Sequence, residues 1–403
     1  MFKGWWIVAT HFVVMFFAVG LYQYGLPLLL PEVIEHFDTD AGTVNYLFTV
    51  HVAIGLVVGP IAGPFVDKWS ARGLLVIGIV LVALGNAILG LAPNIWVFVV
   101  GGGVALGIAG VLCGPMTGSA VVSRFFTANR GRALGIAAVG TSAGGFAIPP
   151  LVALGVSTIG WQTSLLAFAT AVLVCVVPLL LFRFWDHPEA AGVPAEPSPD
   201  GASPGHGDDA PPMTTREILT RGSFWLFTVS LALFIAVYTS TVFNLGLHFA
   251  DQGIDASTAG RLMMIIAVGG MLGKLGFGSL ADRVPLKVAF VAAIGATAGA
   301  IATLLLEPDF WGLVAAAALL GVATGGLLPV WNALVPRLFG VANFGRAMGL
   351  MGPVIAVTTM VVYPIVGNVR DATGSYAAVF QGDLAVLALA VAIVIPLREG
   401  ARG

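Results

Sequence analysis

Charge is what this chain has least of. Only 9% of its 403 residues are Asp, Glu, Lys or Arg, against about 25% in soluble domains. That scarcity excludes an ordinary soluble protein, and no nucleic-acid partner is expected. Cysteine is nearly absent. Cys113 and Cys175 both fall in apolar runs, where they read as small core residues rather than a disulfide or metal pair. The chain has no His-Glu-x-x-His, no phosphate-cradling Gly-Lys-Ser/Thr and no nucleotide-binding pattern. An ATP-driven pump is therefore not expected, nor a cofactor or metal. What is abundant is apolar surface, 58% of the residues. The chain reads as a polytopic membrane protein, and its formal charge of -2 says nothing about partners.

Twelve apolar segments are predicted, at about 5–30, 43–66, 72–92, 95–120, 131–153, 161–184, 223–247, 257–281, 286–306, 310–334, 346–369 and 376–397. The first, after Met1-Phe-Lys3-Gly-Trp-Trp, is too long for a signal-peptide core and reads as a retained membrane helix. Residues 185–222 carry seven prolines with several acids and glycines. They read as a flexible linker between two six-helix halves, 1–184 and 223–403. Within it, Thr214-Thr-Arg-Glu217 has the form of a capping box opening a short helix. Placing the N-terminus inside puts 15 of the 18 Lys and Arg on the inner side. Both termini and the linker are thus expected in the cytoplasm, and the protein in the plasma (inner) membrane.

The halves repeat. Gly63-Pro-Phe-Val-Asp67-Lys68 aligns with Gly278-Ser-Leu-Ala-Asp282-Arg283 at a shift of 215, as do Thr43 with Thr258 and Gly55 with Gly270. Arg132-Ala-Leu-Gly135 meets Arg346-Ala-Met-Gly349 at 214, as Pro115 meets Pro329. The expected fold is an all-α membrane protein of twelve transmembrane helices in two pseudo-symmetric halves. Such parallel repeats rock about a site near the bilayer midplane.

One basic residue stands out. Lys274 lies in the eighth segment, eight residues before Asp282, so about 12 Å up a helix in a hydrocarbon layer about 30 Å thick. A lysine near mid-depth needs a cavity, a partner or an anion.

With these residues in view, the chain resembles the major facilitator superfamily. That family's loop pattern occurs twice, as Gly63 to Arg72 and Gly278 to Lys287, with Ser70-Ala71 and Pro285-Leu286 replacing its Gly-Arg. Two stretches are similar to its monocarboxylate-porter and oxalate/formate-antiporter branch. They are Lys3-Gly-Trp-Trp-Ile-Val and Arg124 to Gly145, which includes Arg132-Ala-Leu-Gly135 and Gly140-Thr-Ser-Ala-Gly144. In that branch a helix-8 arginine after a glycine binds the substrate carboxylate, and Gly273-Lys274 occupies its place. The resemblance thus implies anion binding on Lys274. A lysine keeps the charge but loses the planar two-handed grip. The acid that some members carry one turn earlier is Gly270 here.

Further candidates follow. The loop acids Asp67 and Asp282, beside Arg72 and Lys287, are expected to pair with Arg132 and Arg346 as a gate that closes and releases. Glycines at spacing four, such as Gly269/Gly273 and Gly321/Gly325, are expected at close helix crossings. Polar residues on the cavity helices are substrate-binding candidates: Tyr22, Thr117, Tyr238, Asn244, Trp331 and Asn332, with Tyr22, Tyr238 and Asn332 preferred. His11, His51 and His248 are proton-coupling candidates. Asp383, inside the last segment, is assigned a structural part.

The expected function is secondary transport of a small organic anion, a monocarboxylate matching one fixed positive charge. It proceeds by alternating access and is coupled to a proton or to a counter-anion. One alternative is export of hydrophobic drugs. The other is an intramembrane serine hydrolase using Ser142 of Gly140-Thr-Ser142-Ala-Gly144, whose Gly-x-Ser-x-Gly pattern normally needs a strand–turn–helix elbow.

Overall fold

The computed structural model describes residues 2–68, 70–126, 129–192, 213–281, 284–340 and 343–397. The side chains of 62–68, 115–116, 130–131, 275 and 278–281 lie outside that description. The described residues are helical and contain no strand, with twelve helices long and apolar enough to cross a membrane. We number them α1 Gly4–Phe37, α2 Ala41–Lys68, α3 Ala71–Gly90, α4 Val97–Phe125, α5 Arg130–Ile159 and α6 Trp161–Arg183. After a short helix, Thr215–Thr220, come α7 Gly222–Asp251, α8 Ala256–Ala281, α9 Leu286–Leu305, α10 Phe310–Phe339, α11 Phe344–Thr373 and α12 Ala377–Val394.

The repeat is visible in the joints. Asp40 caps α2 by accepting from the Thr43 amide at 2.6 Å. Asp255 caps α8 by accepting from the Thr258 amide at 3.0 Å, at the same shift of 215. The left-handed residue after α1 is Asp38, φ 49°, and the one after α7 is Gly253, φ 71°. Gly160 and Gly374, both with positive φ, sit between α5 and α6 and between α11 and α12. A β-carbon there would be strained, and glycine removes the penalty.

The chain divides into two compact units, Met1–Ser203 with Leu245–Arg261, and Pro204–Asn244 with Leu262–Gly403. In the first, α1 packs on α5, α2 on α4, and α3 on α4 and α6. Its core gathers Ile7, Leu75, Ile79, Val122, Phe125, Val172 and Val176. The hairpin tip Leu245–Arg261 belongs here, with Gly246 seated on the Pro27 carbonyl. In the second, α9 packs on α10 and α12, and α11 on α10 and α12.

Three sequence expectations need correction. The first segment does not end near residue 30. It winds through a π-helical turn, Gly20–Gly25, and a 3-10 turn, Leu26–Leu29, and runs on to Phe37. The fifth and eleventh segments also run past their apolar windows, to Ile159 and Thr373, through Pro149, Pro150, Pro353 and Pro364. Bundled helices tolerate such prolines because neighbours satisfy the freed carbonyls.

The third correction concerns residues 185–192, which are packed rather than flexible. Asp186 accepts from Ser70 Oγ at 2.5 Å and from the Arg72 amide at 2.7 Å. Lys3 donates to the Ala191 carbonyl at 2.6 Å and lies over the Trp185 ring. Further on, the capping box forms as expected, with Thr214 and Glu217 capping each other's amides.

Candidate functional site: a glycine-framed lysine and two polar clusters

Lys274 is positioned by glycines. On α8 it follows Gly269, Gly270 and Gly273; on α10 Gly325 faces it, while Gly321 faces Ile266, Gly269 and Gly270. A β-carbon on Gly325 would strike the Gly270 carbonyl and come within 2.8 Å of the Lys274 amide nitrogen. One on Gly273 would strike the Val322 carbonyl. The two backbones therefore touch directly, as small-residue crossings allow, and the Lys274 main chain is fixed by its neighbour. The residue is half-buried. It lies seven residues before Ala281 in a 26-residue helix, so about 10 Å from that end of about 39 Å.

In the first unit, Tyr22 and His51 come together. Their rings stack with centroids 4.0 Å apart and planes 18° from parallel, and Phe48 meets Tyr22 edge-on at 5.9 Å. Tyr22 sits in the π-helical turn of α1, where the extra residue re-aims side chains; such turns recur at functional sites. The His51 ring lies over Gly110 of α4, and its Nδ1 has no hydrogen-bond partner among the described residues. His11 is wedged against Gly118, its Nδ1 likewise unpartnered among the described residues. Thr117 beside it is 1% exposed. His248 is buried near the end of α7.

In the second unit the α7 candidates are drawn into helix-to-helix ties. Tyr376 Oη donates to Asn244 Oδ1 at 3.1 Å, and the Asn244 amide donates to the Ser240 carbonyl at 2.9 Å. Thr241 Oγ1 lies 3.5 Å from Asp383 Oδ2. Ser230 Oγ donates to the Ala390 carbonyl at 2.7 Å. These three ties run antiparallel along one α7–α12 seam. Tyr363 of α11 bonds to Thr239 beside the buried Tyr238. On α10, Trp331 keeps a buried indole N–H without an acceptor among the described residues. Asn332 next to it is exposed.

The gating residues are only partly described. Asp282 and the Asp67 side chain lie outside the described residues. Arg132 and Arg346 are both exposed on the first turns of α5 and α11. Arg72 reaches the Leu181 carbonyl at 3.4 Å, while its amide serves Asp186. Lys287 caps α12, donating to the Ile395 and Leu397 carbonyls at 3.0 Å each. Sequence reading missed Asp186, Tyr363 and Tyr376. An acid directly after the sixth apolar segment was the one signal for Asp186.

Ser142 lies inside α5, and Gly140 and Gly144 seat that helix on the Phe12 and Phe16 carbonyls of α1. The pattern is a close crossing, without the strand that an elbow requires.

A family model described as Major Facilitator Superfamily matches residues 12–306 and 248–403. Monocarboxylate transporter 11 of Mus musculus is 28% identical over 392 residues, covering 94% of this chain and 83% of that protein. Monocarboxylate transporter 13 of Bos taurus is 26% identical over 396 residues, covering 98% and 89%. The crystal structure of a bacterial homolog of the human lysosomal transporter Spinster, inward-facing and unoccupied, superposes with TM-score 0.66 at 16% identity, covering 98% of this chain and 94% of that one. These matches point to a transporter and away from an enzyme. The chain, with its repeated loop motif and the twelve apolar helices among its described residues, belongs to the Major Facilitator Superfamily.

Proposed function

We propose that this chain is a secondary transporter of a small organic anion, a monocarboxylate, with Lys274 as the cation that receives the carboxylate. The carrying observation is the glycine frame. It holds one ammonium-bearing residue against a backbone crossing, within an apolar helix, in a chain whose relatives include proteins named monocarboxylate transporters. In the second unit Trp331, with its buried N–H, and, separately, in the first unit Tyr22, stacked on His51, are the further residues assigned to substrate contact. Two six-helix halves, 1–184 and 223–403, alternate access, with both termini cytoplasmic in the plasma (inner) membrane. Asp67, Asp282, Arg132 and Arg346 form the gate. The driving force is a proton or a counter-anion.

Uptake of labelled lactate or pyruvate by proteoliposomes tests this. Lys274→Gln removes a charge-assisted hydrogen bond worth about 1.5–3 kcal/mol, so affinity falls by roughly one to two orders of magnitude. Lys274→Arg keeps the charge and part of the uptake. Equal uptake by wild type and Lys274→Gln contradicts the assignment.

A further inference from the structure

Helix α12 carries one ionisable side chain, Asp383, in its sequence Ala377–Val394. The fold turns it inward: it is 5% exposed, on the face of the buried Phe380, Leu387 and Ala390. Across the seam it meets Thr241 of α7, with the two oxygens 3.5 Å apart. A threonine hydroxyl has one hydrogen. The Val237 carbonyl lies 2.8 Å from the same hydroxyl and takes that hydrogen at the better distance. The remaining contact joins two oxygens. It becomes a hydrogen bond when the carboxyl supplies the proton.

Among the described residues no Lys, Arg or His pairs with Asp383. Lys287 of α9 is bound to the Ile395 and Leu397 carbonyls. On α11, Tyr363 bonds to Thr239, and Arg370 pairs with Asp371 at 3.2 Å. Arg346 is exposed on that helix's first turn. Tyr376 donates to Asn244. On α7, Tyr238 is buried three residues from Thr241.

We propose that Asp383 is the proton-carrying group of the transport cycle, closed into the α7–α12 seam as a neutral carboxylic acid. A bare carboxylate there is costly, so closing the seam and binding the proton go together. When water reaches the seam, the Asp383 O–H bond breaks, water takes the proton, and the electron pair stays on the carboxylate. The Thr241 hydroxyl then turns from Val237 to donate to it. Reprotonation from the opposite side completes the cycle. This deepens the transport reading above, and its coupling test rests on that reading.

Infrared spectroscopy of the purified protein tests the protonation without any substrate. At neutral pH the carbonyl stretch of a protonated carboxyl is expected in wild type, absent in Asp383→Asn and shifted in Thr241→Val. A wild-type spectrum identical to that of Asp383→Asn overturns the proposal. In proteoliposomes with pyruvate, Asp383→Asn keeps exchange but loses pH-driven accumulation to the level of protein-free liposomes, and Asp383→Glu recovers part of it. Accumulation by Asp383→Asn equal to wild type also overturns it. If wild type neither accumulates nor exchanges pyruvate, the substrate reading fails, and the infrared band still decides the proton.

Discussion

Gly321 of α10 rests on the carbonyl of Ile266 of α8, so closely that a β-carbon would collide with it. In the first unit Gly107 of α4 takes the same place on the carbonyl of His51, where a β-carbon would come within 2.8 Å. The pairs are related by the repeat shift, so each unit is built on the same backbone crossing. Gly321→Leu is expected to cost ~1–3 kcal/mol or more, because neither backbone can yield. Gly349→Ala, with open space around it, is expected to be neutral or slightly stabilising. Thermal unfolding in detergent distinguishes the two.

Asn244 and Tyr376 are joined at 3.1 Å across the seam. Asn244→Ala removes the Tyr376–Asn244 hydrogen bond and is expected to lower stability by about 0.5–1.5 kcal/mol. Its effect on substrate affinity should be small, since the amide is already engaged. A melting curve alongside a binding isotherm reads both. A large affinity loss at unchanged stability would return Asn244 to the list of ligand contacts.

Tyr22 and His51 test the other cluster. Replacing the tyrosine by alanine removes a stacked pair worth about 0.5–1.5 kcal/mol. An increase in KM of up to about tenfold is expected. Tyr22→Phe keeps the stack and should lie near wild type. A KM for Tyr22→Ala that matches wild type counts against a binding part for this pair.

The strap at 185–192 hangs on Asp186. Asp186→Ala removes acceptors from both the Ser70 hydroxyl and the Arg72 amide. Faster amide exchange is expected at Arg72 and through 185–192, with a stability loss of about 1 kcal/mol. Exchange confined to its wild-type pattern would show that the strap is held by its other contacts, Lys3 with the Ala191 carbonyl and the Trp185 ring among them.

Glu217 supplies a pH test outside the membrane. The Thr214 backbone amide, then its hydroxyl, hold the Glu217 carboxyl below its ordinary value of 4.5. A lowered folded value means the carboxylate stabilises the short helix at pH above 4.5. That contribution is lost as pH falls through the folded value. Amide exchange across Thr215–Thr220 should therefore rise on acidification below that range; Thr214→Ala, which keeps the backbone amide, should weaken the dependence, and Glu217→Gln should abolish it.

The repeat was readable because its anchors are local. Thr43 and Thr258 each follow an acid by three residues, and those acids became the caps of α2 and α8. The glycine spacing around Lys274 was readable too, and the α8–α10 crossing used it. What escaped was long-range pairing. Nothing near Asn244 in the chain announces a tyrosine 132 positions later, and the polar face of α7 looked like a cavity wall. The π turn at Gly20–Gly25 also escaped, since one extra residue barely disturbs an apolar run. The linker reading failed at residues 185–192 because composition counts prolines and acids, whereas Asp186 and Trp185 had specific partners waiting on other segments.

Position 325 accepts only hydrogen as its side chain, because the Gly270 carbonyl occupies the space. Any descendant that keeps this crossing will retain glycine there whatever cargo it moves. Constancy at position 325 would therefore mark a mechanical joint, and it is the tolerance at position 274 that would track a change of diet.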